Sequence, residues 1–163
     1  KINFPRESLI LAGILEILFN FLIRLVLFIF ILFWFEVNIP SSVFLAPIGI
    51  IAIIMLGLTF GILLTPLGVL YQDISKGITI ITSIWFFLTP VVYPMPNSYP
   101  ANLIAKYNPI SPLLVVTRDW ITIGSVNNLD GFLIVSFLSM IFIFFGWILF
   151  KISMPHVISR VGA

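Results

Sequence analysis

Charged residues are scarce in this sequence. Only 9% of its 163 residues are Asp, Glu, Lys or Arg, whereas a soluble domain averages about 25%. Hydrophobic residues make up 61% of the chain, and they fall into long runs instead of alternating with polar residues. An ordinary water-soluble fold is therefore excluded, and the sequence predicts an all-α polytopic membrane protein.

The residues that several kinds of chemistry require are also missing. The chain has no Cys, which excludes a disulfide framework and a thiolate metal site. Its single histidine, His156, cannot form the pair of a membrane metalloprotease, and the sequence has neither a Gly-x-Ser-x-Gly elbow nor a Gly-rich phosphate loop. No Lys and Arg cluster forms a nucleic-acid footprint. We therefore expect no catalytic residues, no bound metal or cofactor and no nucleic-acid partner, and an energy source outside this chain.

Four apolar runs predict membrane spans, at residues 9–35, 43–70, 77–93 and 131–150. As a helix, the first would extend roughly 40 Å, which exceeds the roughly 30 Å hydrocarbon core of a bilayer. The second contains two glycines four residues apart, a spacing that lets two helix backbones approach closely. No repeat or separate soluble domain interrupts these runs, so we treat the chain as one transmembrane domain.

Residues 94–130 differ from the rest of the chain because prolines break every helix there before it could cross a bilayer. Ser111 is a suitable N-cap, Pro112 suits the first helical position, and Gly124 suits the stop. The sequence therefore predicts a helix of about a dozen residues that lies at the interface or re-enters the membrane.

The distribution of Lys and Arg orients the spans. With four crossings, the amino terminus, residues 71–76 and the carboxyl-terminal tail share one side of the membrane, and that side carries more of the basic residues. The positive-inside rule makes it cytoplasmic, so residues 94–130 are expected to be external. The five basic residues inside are Lys1, Arg6, Lys76, Lys151 and Arg160, and the two outside are Lys106 and Arg118.

A polar stripe runs along the first span. Glu16, Asn20 and Arg24 are spaced four residues apart and so share one helix face. A charge near the bilayer centre costs about 2.5 to 3.5 kcal/mol on insertion scales, so the stripe requires polar partners. It either forms a seam against neighbouring helices or a second subunit, or lines a conduit.

Hydroxyls and aromatic rings share one face of the third span, which we expect to point inward. Two short cytoplasmic patches, around residues 3–7 and 71–74, combine an aromatic residue with charges. Such a patch suits either a docking surface for a soluble subunit or interfacial anchoring in the membrane. The residues of the third-span face are Thr79, Thr82, Ser83, Phe86, Thr89 and Tyr93.

Four short motifs follow one another along the chain. They are Phe4-Pro5-Arg6-Glu7, Tyr71-Gln72-Asp73-Ile74, Leu88-Thr89-Pro90-Val91-Val92-Tyr93-Pro94, and Asn108-Pro109-Ile110-Ser111-Pro112 followed by Arg118. In this order they strongly resemble the membrane permease subunit of bacterial polysaccharide-exporting ABC transporters, which export O-antigen (lipopolysaccharide), capsule and teichoic-acid type polymers. The resemblance covers nearly the whole chain, including the closing residues 161–163.

The resemblance implies a type-2 ABC exporter with six spans, of which this chain would be the carboxyl-terminal two thirds. It implies a homodimer in the bacterial cytoplasmic (inner) membrane, with ATP and Mg²⁺ bound by a separate ATP-binding subunit. It also implies paired re-entrant helices after Tyr93, and contacts to the ATP-binding subunit around the first two motifs. Gln72 stands where the family usually has Arg, which removes an ion pair there. The implied contact residues are Phe4, Pro5, Arg6, Glu7, Tyr71, Gln72 and Asp73.

The leading hypothesis is therefore a multi-pass permease subunit, not itself an enzyme, that exports a lipid-linked polysaccharide. A sugar chain needs stacking rings and hydroxyl partners along its path. An exporter of a drug or of a lipid without glycan stays open, as do an intramembrane enzyme centred on Glu16 and Arg24 and a structural anchor. The conduit candidates are Thr82, Ser83, Trp85, Phe86, Thr89 and Tyr93.

Overall fold

The structure is a computed structural model that describes residues 7–36, 38–91, 93–96, 98–126 and 128–161. Helix accounts for 84% of the protein, and no strand occurs in these ranges, which confirms the all-α fold class. The helices are α1 Glu7–Trp34, a 3₁₀ helix Ser41–Leu45, α2 Ala46–Leu70, α3 Gln72–Leu88, α4 Ala101–Tyr107, α5 Ile110–Thr122 and α6 Leu129–Val161.

Within the described ranges, three helical segments are long and apolar enough to cross a membrane: Leu11–Trp34, Ser41–Leu70 and Leu129–Pro155, each with a mean hydropathy of 2.6. They coincide with three of the four predicted spans and are consistent with a multi-pass membrane protein. The remaining predicted span corresponds to α3, whose 17 residues extend about 26 Å. That α3 crosses the membrane, and that the segment after it re-enters, stay predictions.

The chain forms two compact units, Lys1–Asn38 and Ile39–Ala163. The described part of the first unit is dominated by the single helix α1. The second unit contains every other helix, and all the packing and pockets below belong to it.

The core of the second unit lies where α5 packs against α2 and α6. Trp120 of α5 meets Phe132 of α6 edge to face, with ring centroids 5.2 Å apart. Leu113 and Val116 on the same helix are fully buried. Helix α5 is too short to cross a bilayer by itself. Its apolar face is covered by the two long helices α2 and α6. The core residues are Ala52, Leu56, Leu113, Val116, Trp120 and Phe132.

Small and hydroxyl-bearing residues set the close contacts between these helices. A Cβ added at Gly49 would overlap the Thr117 side chain, so only glycine allows α2 and α5 to approach this closely. Between α2 and α6, the Thr59 hydroxyl lies 3.2 Å from the Ser139 carbonyl oxygen, and 2.9 Å from the Met55 carbonyl of its own helix. Steric fit and a polar contact therefore fix the helix register.

The boundaries of α3 differ from the predicted span 77–93. The helix begins at Gln72, because the polar residues that suggest a turn suit a first helical turn, with Asp73 favoured by the helix dipole. It ends at Leu88, and Thr89 is extended (φ −92°, ψ 136°), as expected for a residue that precedes a proline. The third predicted span is thus helical but shifted toward the amino terminus.

The predicted short helix after the prolines is confirmed as α5, which has 13 residues. Its predicted start was wrong, because Ser111 lies inside the helix, fully buried, and its hydroxyl has no hydrogen-bond partner among the residues that the structure describes. The Asn108 side chain satisfies the first turn instead, accepting a bond from the Ile110 amide. Gly124 ends the helix as predicted, with φ +86°, and its amide donates to the Asp119 carbonyl at 2.8 Å.

Candidate functional site

A small pocket of about 230 Å³ lies where α3 ends and α5 begins. We call it the Trp85 pocket. It brings together four of the six conduit candidates, because residues three and four apart on α3 share a face. The lining consists of Thr82, Trp85, Phe86, Thr89, Val91 and Ile110.

The other two candidates do not line this pocket. The Ser83 hydroxyl donates to the Thr79 carbonyl of its own helix at 2.8 Å. The Tyr93 hydroxyl donates to the Phe87 carbonyl at 3.1 Å, which holds the tyrosine ring back along α3. The structure thus divides the six conduit candidates into four that line the Trp85 pocket and two that do not.

The pocket hydroxyls have a defined polarity. Thr82 has the carbonyls of Ile78 and Thr79 within 2.9 and 3.0 Å, and Thr89 donates to the Trp85 carbonyl at 2.8 Å. A hydroxyl that gives its proton to the backbone keeps only its lone pairs for a ligand. Toward a bound molecule Thr82 therefore acts as an acceptor, which suits a ligand with hydroxyl donors, whereas Thr89 is buried and already accepts a hydrogen bond from Asn108.

A buried amide ties the Trp85 pocket to the start of α5. The Asn108 side chain accepts hydrogen bonds from the Trp85 indole N–H at 3.0 Å and from the Ile110 amide at 3.1 Å. Its amide nitrogen donates to the Thr89 hydroxyl at 2.8 Å. Asn108 is only 7% exposed. The two bonds with Trp85 and Thr89 hold the carboxyl end of α3 against the junction of α4 and α5, and the bond from Ile110 fixes the amide at the start of α5.

Asn108 was not among the candidate site residues, although it belongs to one of the motifs that carry the family resemblance. The feature of the sequence that could have identified it is an amide side chain in a mostly apolar sequence, directly before a proline. A buried amide of this kind requires partners. The sequence does not reveal those partners, since Trp85 lies 23 residues away.

A second and larger space, of about 880 Å³, runs between α2 and α3. We call it the α2–α3 groove. Phe60 and Trp85 meet edge to face at its inner end, with centroids 5.4 Å apart. Added Cβ atoms at Gly57 and Gly61 would meet nothing within 4 Å, so the close helix packing predicted for this pair does not occur among the described residues. The other lining residues are Leu64, Thr65, Gly68, Val69, Ile74, Ser75, Gly77, Ile78, Ile81, Thr82 and Ile110.

The predicted contact residues for an ATP-binding subunit are described only in part. Tyr71 is exposed, and Asp73 forms a long 4.0 Å ion pair with Lys76 while staying 99% exposed. A solvated pair of this kind stabilises the chain little, so these charges are accessible to a partner. The residues Phe4, Pro5 and Arg6 and the side chains of Glu7 and Gln72 lie outside the described part of the chain.

The polar stripe of the first span lies on α1, which is helical throughout residues 16–24. Glu16, Asn20 and Arg24 therefore share one face, and Glu16 and Arg24 are separated by about 12 Å along the axis. That distance excludes a direct ion pair between the two charges. The choice between a buried seam and a conduit lining stays open.

A buried acid on α5 was missed entirely by the sequence analysis. Asp119 is 6% exposed. Burial raises the pKa of its carboxyl, while the neighbouring Arg118 guanidinium lowers it in part. The feature of the sequence that could have identified Asp119 is an acidic residue within an apolar helix. It lies in the segment predicted to be external, at the opposite end of α5 from Asn108.

Comparison with known proteins gives no match, either to a family model or to a curated protein.

Proposed function

We propose that the chain is the transmembrane subunit of an ATP-driven exporter that moves lipid-linked polysaccharide across the cytoplasmic membrane. The observation that carries the proposal is the Trp85 pocket. It combines an indole and a phenyl ring with the Thr82 hydroxyl, which gives its proton to the helix backbone and keeps its lone pairs for a ligand. Rings stack on sugar faces and acceptors pair with sugar hydroxyls, so this combination suits a glycan.

The helix lengths support the arrangement that the proposal needs. At about 26 Å, α3 comes close to the thickness of the hydrocarbon core. With α3 as the fourth crossing, the basic residues favour a cytoplasmic carboxyl terminus and an external α4–α5 segment. Helices α4 and α5, of 7 and 13 residues, are each too short to cross the bilayer, which suits a re-entrant pair. The Trp85 pocket, near the carboxyl end of α3, would then lie in the outer half of the path.

An exporter also needs a surface for the partner that hydrolyses ATP. The exposed side chains of Tyr71 and Asp73 support such a surface at the other end of α3. In this proposal the permease acts as a homodimer with two ATP-binding subunits, which hold the ATP and Mg²⁺. Contacts at the first turn of α3 would be transmitted along one continuous helix to Trp85.

A type-2 exporter of a lipid cargo without glycan is the second candidate. It is favoured by the mostly apolar linings of the Trp85 pocket and the α2–α3 groove. The two candidates differ in cargo and share the partner subunit. Transport assays with the lipid carrier alone, and with the same carrier bearing a glycan, separate them.

The test uses two neighbouring phenylalanines as a matched pair. Phe86 lines the Trp85 pocket, whereas Phe87 is 75% exposed and does not line it. We expect Phe86→Ala to lower export of polymer about tenfold, which corresponds to about 1.4 kcal/mol, the order of magnitude of a specific aromatic contact. Phe87→Ala should leave export within about twofold of the wild type. Equal export by the two variants, at equal amounts of assembled complex, would remove the Trp85 pocket from the cargo path.

A further inference from the structure

The α2–α3 groove has the length of one membrane leaflet. Its α2 wall extends from Gly57 to Val69, about 18 Å of helix. Gly57 lies close to the middle of the apolar segment Ser41–Leu70, and Val69 lies at its end. Half of a roughly 30 Å hydrocarbon core is about 15 Å. The groove therefore covers one leaflet, the one next to the turn between α2 and α3.

The two ends of the groove differ in chemistry. The inner end, near the middle of the span, is closed by the edge-to-face pair Phe60 and Trp85 together with Ile110. The other end, next to the turn between α2 and α3, is lined by Ser75, and the side chain of the next residue, Lys76, is 79% exposed. An apolar channel with a hydroxyl and a cation at its mouth is complementary to a hydrocarbon chain that ends in a phosphate.

We propose that the α2–α3 groove is a phospholipid site. One acyl chain from the leaflet on the side of Lys76 fills the groove as far as Trp85, and the lipid phosphate contacts Lys76 and the Ser75 hydroxyl. The glycines at 57, 61 and 77 leave the space that the chain occupies, since an added Cβ at each would meet nothing within 4 Å. The volume of about 880 Å³ falls in the range of ligand pockets.

The weak ion pair at the mouth does not compete with this role. The Lys76 ammonium lies 4.0 Å from the Asp73 carboxylate, at the limit of an ion pair, and both side chains are largely exposed. Such a pair stabilises the chain little, so a phosphate can recruit the ammonium. The lipid site is independent of the cargo, and its test can fail without affecting the export test.

The experiment counts lipids that stay bound to the full chain after extraction into mild detergent, by native mass spectrometry in the presence of added phosphatidylglycerol. A groove-filling variant, Gly57→Leu with Gly61→Leu, occupies the acyl-chain space. The control is Gly13→Leu, which changes another open helical glycine that does not line the groove. We expect one retained phospholipid per wild-type and control chain, and none in the groove-filling variant. Lys76→Ala should weaken retention about fivefold, the effect of one basic residue at an anionic lipid.

A second readout follows the acyl chain directly. Phospholipids with brominated chains quench the fluorescence of a tryptophan that they touch. The part of the quenching that wild type shows and Trp85→Phe does not is the contribution of Trp85, and so it reports on a lipid chain in the groove. We expect the groove-filling variant to lose the same component. Retention and quenching that persist in this variant would overturn the proposal. So would a loss of chain dimers in the same variant with no change in bound lipid, because the groove would then be a protein interface.

Discussion

Replacing Asn108 with Ala tests whether the buried amide holds α3 to the α4–α5 junction. The change removes three hydrogen bonds, to the Trp85 indole, the Ile110 amide and the Thr89 hydroxyl. Each contributes about 0.6 kcal/mol by membrane-protein measurements and about 1 kcal/mol in soluble proteins. Two stranded N–H groups add to the cost. We expect Asn108→Ala to lower the free energy of unfolding by about 2 to 4 kcal/mol.

The assay is reversible unfolding by sodium dodecyl sulfate in mixed micelles, followed by circular dichroism. Asn102→Ala is the matched control, since that side chain is exposed on α4 and its loss should cost less than about 0.5 kcal/mol. A double-mutant cycle with Thr89→Val should give a coupling energy of about 0.5 to 1.5 kcal/mol. Equal unfolding free energies for the Asn108 and Asn102 variants would refute the reasoning.

Three further predictions follow from the packing, the buried acid and the chain direction. Gly49→Ala should lower the free energy of unfolding by about 1 to 3 kcal/mol, because the added methyl group overlaps a threonine on α5. In the same assay, Gly57→Ala should leave the free energy of unfolding unchanged or raise it by up to about 1 kcal/mol, because its methyl group meets nothing within 4 Å. Burial raises the pKa of Asp119 above its ordinary 3.8, so the folded chain holds this proton more tightly and stability should fall as pH rises from 3.8 through the raised pKa; Asp119→Asn should flatten that slope, and an unchanged slope would count against it. Because the chain has no Cys, Tyr107→Cys and Lys76→Cys can each be labelled alone. An impermeant thiol reagent should reach only the first in intact cells, and labelling of both from one side would exclude α3 as a crossing.

The sequence predicts the long helices because a helix that crosses a membrane must match the thickness of the hydrocarbon core. Helices α1, α2 and α6 each contain an apolar run that no soluble fold needs, and each begins within a few residues of its predicted start. Pro66 lies inside α2 without ending it. Pro155 likewise lies inside α6, which continues to Val161, past the predicted span end at residue 150. The length of an apolar run therefore predicts that a helix exists, whereas the prolines and the end of the apolar run do not predict where the helix ends.

The site is harder to predict because it depends on contacts between distant residues. The spacing of Thr82, Phe86 and Thr89 on one helix predicts a common face, and all three line one pocket. The same spacing does not show which hydroxyls line the pocket: Ser83 does not, and its hydroxyl donates to the Thr79 carbonyl. The bonds of Asn108 join two chain segments, a pairing that helical periodicity cannot predict.

The central proposal is an exporter that depends on an ATP-hydrolysing partner. Its most direct test is co-purification of the full chain with a candidate ATP-binding subunit, comparing wild type with an Arg6→Ala, Asp73→Ala double variant and recording ATPase activity with and without a lipid-linked glycan. We predict stable capture, ATPase activity that rises with the glycan, and weaker capture of the double variant. Failure of the chain to retain any ATP-binding subunit, or product formation from a lipid-linked intermediate without one, would contradict the exporter proposal.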